Sequence, residues 1–137
     1  PNSVYVADFI GDVNLVKGRI GASDGEKYSI NWAEGQPAIK AAGPAGIAPD
    51  TECHFAIRPE KVAIAMEKPT DKPNALQGRI LDIAYLGNVS TYHVELDNGI
   101  IMKAQMANNR RISRRDLTWD DHVWVSFTET AGLVLVK

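Results

Sequence analysis

Residues 55–66 read FAIRPEKVAIAM. Phe55-Ala56-Ile57 is the end of one apolar strand, and Val62-Ala63-Ile64-Ala65-Met66 reads as another. Between them stand Arg58, Pro59, Glu60 and Lys61, a proline flanked by unlike charges. Proline locks φ and removes a backbone donor, so the first strand stops there. A break of this kind is either a catalytic insertion or a corner where the chain changes sheets, and the remaining sequence has to choose.

Outward from this corner the hydrophobic pattern has a period of two. Tyr28, Ile30 and Trp32 alternate on one face, then Cys53, Phe55 and Ile57, then Tyr92, Val94 and Leu96, then Val123, Val125 and Phe127. Asp12–Ile20 and Gln77–Tyr85 alternate less cleanly, with Gly78 as a candidate bulge, and Leu133–Val136 closes the chain. Asp97-Asn98-Gly99 is a hairpin turn, because Asn-Gly accepts positive φ at both central positions, and Asp24-Gly25 has the same character. Many short strands at this spacing predict an all-β barrel or sandwich.

The pattern also repeats. Gly18-Arg19-Ile20 recurs as Gly78-Arg79-Ile80, Tyr28-Ser29-Ile30 as Tyr92-His93-Val94, and Asp50–Ile57 as Asp120–Phe127. Val62–Ala65 is echoed by Leu133–Val136. The order is kept while the offset grows from 60 residues at Gly18/Gly78 to 71 at Val62/Leu133, as loop insertions produce. Two small barrels of related topology, or one barrel carrying a half-barrel, are expected: a first β subdomain over 12–68 and a second over 74–137. Pro69–Pro73, with two prolines in five residues, reads as the connector. Ahead of both, residues 1–11 read as a short helix, with Asn2 or Ser3 as cap, Val6, Phe9 and Ile10 on one face and Gly11 as stop.

The chain of 137 residues is long enough for a packed core, and its net charge of −2 provides no general attraction to nucleic acid or an anionic membrane. One cysteine, Cys53, excludes an internal disulfide. No apolar run reaches the roughly 20 residues that span a bilayer. Phosphate-binding loops, dinucleotide-binding glycine fingerprints and nucleophile elbows are all missing from the sequence. The three histidines, His54, His93 and His122, are far apart, and Cys53 and His54 face opposite sides of one strand, so no metal site is expected. Arg58 and Glu60 suit a structural ion pair or a contact with a neighbouring domain better than a catalytic pair. Arg110, Arg111, Arg114 and Arg115 place four arginines in six residues, either a solvated loop or a contact for an acidic partner or anion.

Taken in order, Phe9-Ile10-Gly11 with Asn14, Ile57-Arg58-Pro59-Glu60, Tyr85-Leu86-Gly87 and Trp119 before the His122 strand resemble the C-terminal regulatory region of ABC-importer ATP-binding subunits. The run Tyr85–Val94 is most similar to the spermidine/putrescine branch. The resemblance implies a small oligomer-binding-fold-like barrel, a second partial barrel from the divergent repeat, and residues 1–11 as the tail helix of an upstream nucleotide-binding domain. It implies no catalysis and no cofactor in this chain, with ATP and Mg bound by that other domain. It further implies a regulatory and dimerisation role, with Arg58, Pro59 and Glu60 at a domain contact. The implied partners are the nucleotide-binding domain, a twin subunit and the membrane-spanning permease subunits, at the cytoplasmic face of a bacterial membrane. Polyamines are cations, so Glu95, Asp97, Asp120 and Asp121 are the candidate sensing residues. The competing expectation is a stand-alone oligomer-binding-fold module that binds nucleic acid or another anion through the arginine loop.

Overall fold

The computed structural model describes residues 12–108 and 117–136. β1 (Asn14–Asp24) alternates Val16 and Ile20 inward with exposed Lys17 and Arg19 outward. It pairs antiparallel with both β2 (Lys27–Asn31) and β4 (Glu52–Ile57). β2 pairs with β3 (Ile39–Ala42), and β10 (Gly132–Leu135) runs parallel to β3 and antiparallel to β4. The order β1-β2-β3-β10-β4 therefore closes into a barrel. Val16, Ile20, Ile30, Ile39, Phe55 and Val134 fill it, none more than 2% exposed.

A second sheet is built around β6 (Asn74–Leu86), which pairs antiparallel with β7 (Val89–Glu95) and β9 (His122–Phe127). β8 (Ile101–Ala107) continues beyond β7, and β5 (Ala63–Ala65) continues beyond β9. The order is β5-β9-β6-β7-β8. Matched strand for strand, this is the first barrel with its last seam unpaired: β5 lies beside β8 without a hydrogen-bonded register. The 3-10 turn Pro59–Lys61 packs against β8 at this seam, with Pro59 buried. Leu76, Ile80, Val94, Met102, Val125 and Phe127 form the core of this sheet.

The fold is thus all-β, with one closed barrel and one partial barrel of the same strand order, as the pattern predicts. The division between them differs from the expected one. One unit comprises residues up to Arg58 together with Thr128 onward; the other is Pro59–Phe127. The chain crosses at Arg58/Pro59 and returns at Phe127/Thr128, whereas Pro69–Pro73 lies inside the second unit as the link from β5 to β6. The reason is strand exchange. The strand that follows β4 completes the second sheet, and the strand that follows β9 completes the first barrel. The echo between Val62–Ala65 and Leu133–Val136 marks these exchanged strands.

Two strands escape the sequence pattern, β3 and β8, both rich in alanine, which has little preference for a pleated surface. The bulge in β6 falls between Ile80 and Asp82 rather than at Gly78. Gly78 serves close approach instead, since a Cβ there would sit 2.8 Å from the Glu95 carbonyl oxygen. The Asp97–Gly99 turn has φ of 70° at Asn98 and 76° at Gly99, the left-handed pair that Asn-Gly predicts. The expected helix over residues 1–11 lies outside the described residues. Among the described residues no helix is long and apolar enough to cross a membrane.

Candidate functional site

The two Gly-Arg-Ile segments build the same local structure. In β1, Ile20 N–H donates to the Thr51 carbonyl at 2.9 Å and Asp50 N–H donates back to Ile20 at 2.7 Å. In β6, Ile80 N–H donates to Asp121 at 3.0 Å and Asp120 N–H donates back at 2.8 Å. Asp50 and Asp120 both have left-handed φ, 67° and 69°, which short polar side chains tolerate. Arg19 then donates to the Asp50 carbonyl at 2.8 Å and pairs with Glu52 at 3.3 Å. Arg79 pairs with Asp120 and, at 3.3 Å, with Glu95.

This geometry locates the acidic residues singled out from the sequence. Glu95 and Asp120 converge on one guanidinium, so each is held in an ion pair with Arg79. The Asp121 carboxylate accepts the Thr118 backbone N–H at 2.9 Å, and Asp97 opens the turn between β7 and β8. A further carboxylate, Asp82, accepts the Ile83 N–H at 2.9 Å and the Trp119 indole N–H at 3.4 Å.

Arg58 is half-buried, Pro59 buried and Glu60 exposed. Arg58 ends the first unit and Pro59 begins the second, so the quoted stretch is a corner where the chain changes sheets. The Val62 N–H closes the turn onto the Pro59 carbonyl at 3.1 Å. Arg110, Arg111, Arg114 and Arg115 lie outside the described residues. Cys53 is buried on β4, and burial pushes its thiol pKa up, away from the reactive thiolate.

The β6–β7 hairpin, whose Tyr85-Leu86-Gly87 the sequence singled out only for its resemblance, carries further features. Tyr85 and Leu86 at its tip are 62% and 57% exposed. The tip is held by Asn108, whose side chain donates to the Gly87 carbonyl at 3.1 Å and accepts from Ser90 Oγ at 2.7 Å. The Asn108 backbone N–H also reaches the Asn88 carbonyl at 2.7 Å. An asparagine directly after β8, a strand that the sequence pattern does not show, carries no signal of its own, so only the fold reveals this clamp. On the outer side of the same sheet the Lys68 ammonium stands 5.3 Å from the centre of the Trp124 ring.

The model of the TOBE domain matches residues 55–135, from the end of β4 to the last residue of β10. The chain belongs to the TOBE domain family. The matched part of this TOBE domain takes in the whole second unit, both crossings and the strand that closes the first barrel. The putrescine transport ATP-binding protein PotG of Escherichia coli (strain K12) is 31% identical over 98% of this chain, which corresponds to 36% of that relative. The spermidine/putrescine import ATP-binding protein PotA of Nitrosomonas eutropha is 34% identical over 99% of this chain and 38% of its own length. The TOBE chain therefore spans somewhat more than a third of these curated relatives. Among solved structures, the cytoplasmic molybdate-binding protein ModG superposes with a TM-score of 0.77 at 12% identity, covering 90% of this chain and 96% of ModG. At that identity the likeness concerns the fold alone.

Proposed function

We propose that this TOBE domain is the C-terminal accessory part of the ATP-binding subunit of an ABC importer for polyamines, where it pairs with its twin and regulates the subunit without catalysing hydrolysis. The observation that carries the reading is the near-complete coverage of this chain by relatives named for putrescine and spermidine/putrescine import, of which it spans only a third. The sequence also lacks a phosphate-binding loop, so ATP and Mg belong to another domain. In this reading the partners are that nucleotide-binding domain, a second subunit and the permease subunits, at the cytoplasmic face of the membrane, and nucleic acid has no part. Arg58, Pro59 and Glu60 then act at a domain contact, their charged side chains set on the corner that links the two units.

The test compares the full ATP-binding subunit with one lacking residues 12–137, by ATP hydrolysis and by uptake of labelled putrescine and spermidine in cells. The expected result is hydrolysis that persists without the TOBE domain while uptake falls or loses its regulation, with no hydrolysis by the isolated domain. Unchanged polyamine uptake after the deletion overturns the proposal.

A further inference from the structure

The turn between β7 and β8 carries a reactive pair of residues. Of the asparagines in the chain, only Asn98 is followed by glycine; every other one precedes a residue with a side chain. A backbone nitrogen that reaches Cγ of the preceding asparagine closes a five-membered imide. A side chain on the residue that supplies the nitrogen crowds this approach, and glycine has none. At the β1–β2 turn the corresponding pair is Asp24-Gly25, where an ionised carboxylate is a much poorer target for the same attack.

The fold separates Asn98 from the other asparagines. Asn14 and Asn74 are buried, and Asn31 lies in β2 opposite Arg19 and ahead of bulky Trp32. Asn88 precedes β-branched Val89, and its carbonyl is held by the Asn108 N–H at 2.7 Å. Asp97, Asn98 and Gly99, by contrast, are all exposed and stand beyond the last β7–β8 rung, Glu95 with Ile101. The Leu96 N–H holds the base of the turn on the Ile100 carbonyl at 2.7 Å, but the Ile100 N–H stands 3.5 Å from the Asp97 carbonyl, a long and weak closure. In the closed turn Asn98 has φ of 70° and ψ of 7°, which aims the Gly99 nitrogen away from the Asn98 side chain. Ring closure therefore waits on opening of the turn. That opening breaks no rung of the sheet and moves only exposed residues, so it belongs to the low-energy end of local fluctuations.

We propose that Asn98 is a site of spontaneous deamidation, with its rate gated by opening of the β7–β8 turn. The Gly99 nitrogen bonds to Asn98 Cγ, and the side-chain amide leaves with the Gly99 proton as ammonia. Water then opens the imide. Cleavage at the Cγ carbonyl gives aspartate, and cleavage at the backbone carbonyl gives isoaspartate. Either product sets a second carboxylate beside Asp97. The isoaspartyl form also lengthens the turn by one backbone atom, against the register that β7 and β8 keep from Glu95 and Ile101 onward. This chemistry is independent of the importer reading above.

The test incubates the whole folded chain in warm, mildly alkaline buffer made with oxygen-18 water, followed by peptide mapping with mass spectrometry. The expected result is conversion at Asn98 ahead of every other described asparagine, as two separable isomers that each carry one labelled oxygen. The chain unfolded in urea should react faster at the same site, by the factor that the closed turn withholds. Asn98→Gln, whose ring would need an extra atom, should lose the reaction while folding normally. An Asn98 that stays intact in the folded chain after the urea-unfolded chain has converted overturns the proposal. Aspartate formed without isoaspartate overturns the imide route, and equal rates in the folded and unfolded chain overturn the gating.

Discussion

β1 and β6 carry the same Gly-Arg-Ile segment, yet their arginines find acids on opposite neighbours. Arg19 lies across from Asn31 on β2 and Glu52 on β4, so its in-register carboxylate is on β4. Arg79 lies across from Glu95 on β7 and His122 on β9, so its carboxylate is on β7. Both arginines are completed by the aspartate with left-handed φ in the loop before the fourth strand, Asp50 or Asp120. What is held constant is the backbone: a glycine that lets the neighbouring strand approach, an isoleucine in the core, and a loop bonded twice to that isoleucine. The acid is free to move between strands because the outer face is wet, and either flanking position is within reach of a long guanidinium. The hairpin tips differ more. Ser23, Asp24 and Glu26 make the first polar, while Tyr85 and Leu86 make the second apolar.

The most disruptive way to probe the comparison is through the cores. Phe55→Ala and Phe127→Ala remove a fully buried ring from each of the two cores and should each cost about 3–5 kcal/mol. Because each unit contains the strand that follows the other's fourth strand, urea unfolding of either variant should remain a single transition. Coincidence of tryptophan fluorescence with far-UV circular dichroism checks this, and two resolved transitions would show the units to be independent.

Gly18→Ala and Gly78→Ala sharpen the claim of equal geometry. An added Cβ would stand 2.7 Å from the Asn31 carbonyl oxygen in the first case and 2.8 Å from that of Glu95 in the second. Both neighbours are backbone and cannot turn away. Losses of about 1–3 kcal/mol, similar at the two sites, are expected from urea midpoints. A neutral result at one site only would mean that the repeat is geometric in one unit alone.

Asn108→Ala removes two side-chain hydrogen bonds from the second hairpin and should cost about 1–2 kcal/mol. Faster hydrogen exchange confined to the residues around Gly87 and Asn88 is the expected signature. Smallest of all, Arg19→Ala and Arg79→Ala should each cost less than about 1 kcal/mol, since these side chains remain 52% and 41% exposed in their ion pairs. Arg79 should matter more, having the closer carboxylate contacts and the less exposed setting, and raised salt should narrow the difference between them.

Much of this was legible in the residues. The period of two located β1, β2, β4, β6, β7 and β9, because each has one face in a core and one in water. The Asn-Gly turn declared its own backbone, and the proline after Arg58 declared a corner. The repeat was legible too, although it is longer than Gly-Arg-Ile: buried Asn14 and Asn74 open both strands four residues ahead of the glycine. β3 and β8 were silent because alanine and methionine fill small inward spaces without the branched or aromatic pattern of a strand. For the candidate site, the acids could be chosen by type from the sequence, but their common guanidinium could not, because Arg79 and Asp120 are 41 positions apart.

By itself, then, the sequence determined an all-β chain in two related halves, with a corner at Arg58–Pro59 and no phosphate-binding loop. Local chemistry is sufficient for those conclusions: alternation follows from the pleat, and turns follow from the φ that glycine, asparagine and proline accept. Only the tertiary structure decided that the halves exchange their fifth strands, that Glu95 and Asp120 share Arg79, and that Leu86 and Ala107 stand in one row with Val89 between them. Each of these depends on which strand lies beside which. Pairing partners are chosen by burial over the whole sheet, a long-range property that no single segment carries.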